Sequence, residues 1–156
     1  MSTDFSHLKK HSQKADETRP FVISYDGEAV RVHCLPATEA NKPYWNVIMR
    51  RVEDSAQRRK AKLNDKTTAQ GRRDDAVVFA EHCIKGWDED PVDKKQLPLL
   101  NTKGDPVKFS PEEAKAFMLA LAEHVDYAFD DLRAWLTNPE NFVGEAAPGV
   151  GSELGN

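Results

Sequence analysis

Chemistry is what this sequence has least of. It contains no phosphate-cradling P-loop and no dinucleotide-binding glycine signature. Its two cysteines, Cys34 and Cys83, are too few for a disulfide framework, so two buried thiols are expected. No run approaches the roughly 18 apolar residues of a membrane helix, so no membrane span is expected. Residues 1–18 carry no apolar segment of signal-peptide type. Internal repeats are also missing. Hydrophobic residues make up 39% and charged residues 31% of 156, which points to one domain with a modest core and polar flanks.

The titratable residues do not assemble into a recognisable site. His33-Cys34 and His82-Cys83 are adjacent pairs, and neighbours in a strand or helix do not converge on one metal ion. Neither pair brings C-x-x-C or H-x-x-x-H spacing. Asp88, Asp90 and Asp93 resemble the start of a calcium loop but lack its turn glycine and terminal glutamate. Asp74-Asp75, Glu112-Glu113 and Asp130-Asp131 suit helix starts and polar faces rather than a pair of catalytic carboxylates in unequal environments. No catalytic residue, cofactor or metal is expected.

Charge is unevenly laid out around a net −4. Residues 50–73 hold nine Arg or Lys against three Asp or Glu, whereas 109–156 hold nine acids against two bases. Such a layout can orient a partner or a second copy. Nucleic-acid binding through 50–73 is an alternative, but the segment has no interleaved aromatics and the whole chain is acidic.

The secondary structure is easier to read. Residues 1–19 are polar, with Phe5 and Leu8 as the only anchors, and are expected to be disordered or ordered by a partner. Phe21, Ile23 and Tyr25 alternate before Asp26-Gly27, and Val30, Val32 and Cys34 alternate after it, which predicts a hairpin. Arg31 and His33 would then face water. Asn41 and Pro43 start a helix with Tyr44, Val47, Ile48, Arg51, Val52 and Ser55 on one face, apolar at first and then fading into the basic run. A second helix is expected over about 72–85, with Ala76, Val77, Ala80, Cys83 and Ile84 as its stripe, Gly86 as a left-handed cap and Trp87 folding back. Lys103-Gly104 offers a second small turn. Residues 143–156 are glycine-rich and read as a flexible tail.

The longest amphipathic stretch is 111–137. Ser110, Pro111 and Glu113 form a helix start, and Ala114, Phe117, Met118, Leu121, Val125, Ala128, Phe129, Leu132 and Leu136 recur at helical spacing, as one helix or two. Asn138-Pro139 ends it. Leu119, Tyr127 and Trp135 fall off this stripe, which makes a partner surface or self-association an expectation. Together these readings predict an α+β fold, mainly α-helical, with an N-terminal β-hairpin packed on a small helical domain over 20–142 and flexible termini.

The ordered segments Val32 to Thr38, Ile84-Lys85-Gly86-Trp87, Phe109-Ser110-Pro111-Glu112-Glu113-Ala114, Ala128 to Leu132 and Asn138-Pro139-Glu140-Asn141-Phe142 resemble those of the tail assembly chaperones of long-tailed bacteriophages. The resemblance covers roughly residues 20–142. Two positions depart from the pattern: Glu113 stands where the family has asparagine, and Ala122-Glu123-His124 lacks the mid-helix proline. Such a resemblance implies a non-enzymatic protein of the bacterial host cytoplasm, absent from the mature virion. It implies a tape measure protein as partner, kept soluble until major tail protein is recruited. A structural tail protein retained in the virion is the other alternative. The candidate partner-binding residues are the apolar group Phe117, Leu121, Val125, Phe129, Leu132 and Trp135, with Arg58, Arg59, Lys60 and Lys62 as an electrostatic face.

Overall fold

Asp26 and Gly27 both take positive φ, 48° and 78°, the geometry of a two-residue turn whose twist matches that of paired strands. This turn joins β1 (Arg19–Tyr25) to β2 (Glu28–Cys34), with Ile23 opposite Val30 and Phe21 opposite Val32. The computed structural model describes residues 3–58, 68–90 and 94–144. The fold is α+β: a three-stranded antiparallel sheet, ordered β1-β2-β3, covered by helices.

The third strand is a correction to the expected helix over 72–85. The helix α2 spans Thr68–His82, and β3 follows at once as Ile84–Trp87. Trp87 pairs with Val32, Gly86 with His33, and Cys34 with Ile84 across a local irregularity. Gly86 is therefore a strand residue and not a helix cap. The physical reason is sheet stability: a lone hairpin is marginal, and β2 gains a second ladder from the buried Ile84 and Trp87. Gly71 lies within α2.

The apolar stretch after Ser110 forms two helices, α3 (Pro111–His124) and α4 (Asp126–Leu136). The Ser110 side chain accepts from the Glu113 N–H, as its position promises. Val125 makes the break, with φ −132° and ψ 59°. No hydrogen bond is wasted there, because its N–H closes α3 on the Leu121 carbonyl and its own carbonyl receives the Ala128 and Phe129 N–H groups of α4. A straight helix would wrap apolar surface around more than half its circumference. The bend turns Met118 and Leu121 on one side, and Phe129, Leu132 and Leu136 on the other, into a single core.

α1 (Lys42–Arg58) lies outside this body and packs on α2, while α2 and α3 make the most extensive helix pair. A row of rings runs Tyr44–Phe79–Phe129, with centroids 6.1 and 5.9 Å apart. Phe79 is fully buried at its middle, although the expected α2 stripe omitted it and included the less buried Val77. On the sheet side, Phe21 meets Trp135 of α4, and Trp87 meets Phe109 and Phe117. The Trp87 indole N–H also donates to the Val107 carbonyl at 2.7 Å. Gly104 has positive φ in the small turn between Leu99 and Val107, whose backbones bond at 2.8 Å.

Contacts with the body extend beyond residues 20–142. Lys14 donates its N–H to the Phe142 carbonyl, Gln13 bridges Val143, and Arg19 holds the Val143 and Gly144 carbonyls. Ser6–His11 forms a short 3-10 helix with no buried residue.

Phe79→Ala removes the central ring of the buried row and is expected to cost about 3–5 kcal/mol of stability. Tyr127→Ala, on the solvent side of α4, is expected to change stability by less than about 0.5 kcal/mol. Urea unfolding of the two variants checks both, and equal losses would contradict this packing.

Candidate functional site

The six apolar candidates divide between core and boundary. Leu121, Phe129 and Leu132 are fully enclosed, so they hold the domain together and present no surface to a partner. Phe117, Val125 and Trp135 are half-buried against the same core. Trp135 places its ring 5.0 Å from both Phe21 and Phe142, which fixes α4 to the sheet and to the closing 3-10 turn Pro139–Phe142. Arg58 ends α1, but its side chain lies outside the described residues, as do Arg59, Lys60 and Lys62.

What the sequence reading missed is an ionic ladder across three helices. Arg51 of α1 donates to Asp75 of α2 at 2.9 Å, and the other Asp75 oxygen accepts from Arg133 of α4 at 3.0 Å. Arg133 reaches Asp130 at 2.9 Å, and Asp130 is gripped by Arg72 of α2 through two bonds of 2.9 Å. Arg133 also lies over the Phe129 ring at 5.6 Å. The hydrogen bonds that Arg72 donates hold the Asp130 carboxyl below its ordinary value, against the opposing effect of burial, and the same bonds raise Arg72. Sequence held one clue: Arg51 falls on the apolar face with Tyr44, Val47 and Ile48, where a cation needs a carboxylate.

This ladder pairs the basic segment with the acidic C-terminal one inside a single molecule. Arg51 and Arg72, two of the nine cations of 50–73, are held by carboxylates, and Arg73 donates to Gln70.

A second polar cluster corrects the expectation that Arg31 and His33 face water. Both bind Asp88, whose side chain is only 9% exposed: Arg31 at 3.1 Å and the His33 Nε2 at 2.9 Å. The same carboxylate accepts the Leu97 N–H, and Arg31 donates to the Lys95 carbonyl at 2.7 Å. The cluster straps the segment 94–97 across the outer face of the sheet. Among the described residues no nucleophile joins this histidine–aspartate pair. Cys34 points to the opposite, core face, where burial and then Cys83 push its thiol well above the ordinary value. Burial likewise pushes Cys83 up to about 12. Both thiols are therefore protonated at neutral pH and poor nucleophiles. Among the described residues no group of three His, Cys, Asp or Glu is placed to hold a metal ion. Nor is any helix among them long and apolar enough to cross a membrane.

The loop after β2 meets the ends of α2 and α4 and the start of α1 at one buried joint. Leu35 donates to the Cys83 carbonyl at 2.8 Å, and Ala37 to the Leu136 carbonyl at 3.0 Å. The Asn41 side-chain amide reaches the Pro36 and His82 carbonyls at 3.0 and 2.9 Å. The Asn141 side chain caps the Trp135 carbonyl at 2.9 Å. An open groove of about 830 Å³ lies beside this joint, between residues 13–17, the start of α1 and His82 and Lys85. Exposed large apolar side chains sit elsewhere: Phe5 and Leu8 on the N-terminal segment, Met49 and Val52 on α1, Leu100 on a loop and Tyr127 on α4.

Because the hydrogen bonds from Arg72 lower the Asp130 carboxyl, its contribution to stability is complete above the ordinary value of 3.8 and is lost as pH falls through the lower folded value. Asp130→Asn should therefore unfold at lower urea than the parent protein at pH 7, with the gap closing below pH 4, the ordinary carboxylate range. A gap that stays constant over that range would remove the ionised ladder as its cause.

Comparison with known protein families, with curated proteins and with solved structures finds no match to this chain.

Proposed function

We propose that this protein is a tail assembly chaperone of a long-tailed bacteriophage or prophage. It binds the tape measure protein, keeps that long chain soluble, and helps recruit major tail protein before the tube polymerises. It works in the cytoplasm of the bacterial host as a binding protein without catalysis, and leaves before the virion is complete. The observation that supports this reading is the ordered set of family-like segments along the chain, two of which, Val32 to Thr38 and Asn138 to Phe142, bond to the last turn of α4 through Ala37 and Asn141. The accessible surface is also of adaptor type, with exposed apolar side chains on the N-terminal segment, α1 and α4.

Co-expression with the tape measure protein of the same genome tests the proposal. A soluble complex holding several copies of this chain per tape measure is expected where the tape measure alone precipitates. A tape measure left in the pellet overturns the chaperone reading, and presence of the chain in purified virions turns the assignment to a structural tail protein.

The electrostatic face is tested in the same system. Reversing the charges of Arg58, Arg59, Lys60 and Lys62 is expected to leave the thermal melt unchanged and to weaken the complex most at low salt. Equal affinity of variant and parent throughout a salt titration removes that face from the mechanism.

A further inference from the structure

α1 uses only part of its surface to hold the domain. Tyr44 is buried, and Val47, Ile48 and Arg51 turn toward the body. Trp45, Met49 and Val52, spaced i, i+4 and i+7, form a second stripe beside that face. Trp45 is half-buried, whereas Met49 is 43% and Val52 52% exposed. Among the described α-helical residues the only other large apolar side chain so exposed is Tyr127, which stands alone.

The charges beside this stripe specify what fits it. At roughly 100° per residue, Lys42 and Glu53 lie on the same solvent-side margin of the stripe, one near each end. Both are exposed. The first turn of α1 has a lysine and no acid, an order that its own dipole disfavours. A helix of opposite direction, with an acid opposite Lys42 and a base opposite Glu53, corrects this. The chain itself carries that pattern.

We propose that α1 pairs with α1 of a second copy of this chain, antiparallel about a two-fold axis. With the axis near Ile48, Trp45 lies over Val52 of the second copy, Met49 lies beside its own counterpart, and Lys42 faces Glu53 at both ends. A parallel arrangement is disfavoured because it sets Lys42 against Lys42 and Glu53 against Glu53. The antiparallel contact is self-complementary, as a two-fold interface requires. One pair of 17-residue helices, about 25 Å long, is small beside the roughly 1,200–2,000 Å² of a stable interface. The dimer is accordingly weak, concentration-dependent and sensitive to salt. This surface does not rest on the tail-assembly reading and stands or falls without it.

Sedimentation of the full chain over a wide concentration range tests the proposal. The expected mass rises from 17.6 kDa toward twice that value. Met49→Glu should stay monomeric with an unchanged thermal melt. Lys42→Glu and Glu53→Lys should each raise the dissociation constant by roughly 5- to 30-fold, and the double variant should recover most of the loss. A chain that remains monomeric throughout, or a Met49→Glu protein that dimerises as tightly as the parent, overturns the proposal. A double variant as weak as either single one overturns the antiparallel register.

Discussion

The fold depends on satisfying backbone groups where three helix ends and a loop meet out of water. The last carbonyls of a helix have no partners within it, and burying them unpaired is costly. Here the α2 carbonyl of His82 is taken by the Asn41 amide, and the α4 carbonyl of Leu136 by the Ala37 N–H. Asn41 is itself buried, and its backbone carbonyl receives the first helical bond of α1 from Trp45. One asparagine thus starts α1, closes α2 and holds the Pro36 carbonyl of the loop. Aspartate, an acceptor only, would repel the carbonyls that this amide binds. The positions of α1, α2 and α4 around the sheet follow from these few bonds, with the rings of Phe79, Phe129 and Trp135 filling the space so defined.

Electrostatics then fixes the outer side of the same helices. Along the chain, the basic and acidic segments look like opposed patches waiting for partners. In space, Arg51 and Arg72 from one meet Asp130 and Arg133 from the other through Asp75, in a ladder of alternating sign. Exposed pairs of this kind contribute little individually, but shared carboxylates and a bidentate Arg72–Asp130 contact make the geometry selective for one docking of α1, α2 and α4. Cations engaged in this way are already partly neutralised. Two of the nine cations of 50–73, Arg51 and Arg72, are thus engaged within the protein itself.

Local signals in the sequence led to the right structure wherever one short segment decides the outcome. Asp26-Gly27 gives its turn regardless of context, and Ser110-Pro111 with Glu113 gives a helix start. Signals failed where the decision is made by distant partners. Ile84 to Trp87 has helical neighbours and becomes a strand because β2 offers an unpaired edge. Val125 breaks a continuous apolar pattern because both halves must face one core. Arg31 and His33 sit on the outer face as alternation requires, yet Asp88, more than fifty residues away, reaches back to cover them. Within the candidate site, the apolar list mixed Leu121, Phe129 and Leu132, which are core, with Trp135 at its edge. Periodicity identifies a buried face but does not say whether the same chain or another molecule buries it.

That last distinction bears on function. The longest apolar stripe of this chain is consumed by its own core. Among the described residues, what remains for partners is smaller and simpler: a few apolar side chains on α1, α4 and the N-terminal segment, with charges beside them. Small surfaces of this kind bind weakly one at a time and strongly when many copies line a single long ligand, because each added contact acts at high effective concentration. The tape measure protein of the proposed function is such a ligand, and on that proposal its coat must also come off. A chaperone that encloses its target in a deep pocket would be slow to leave. A domain that is rigid inside and modestly adhesive outside can coat a long chain and then give way to a polymerising tube.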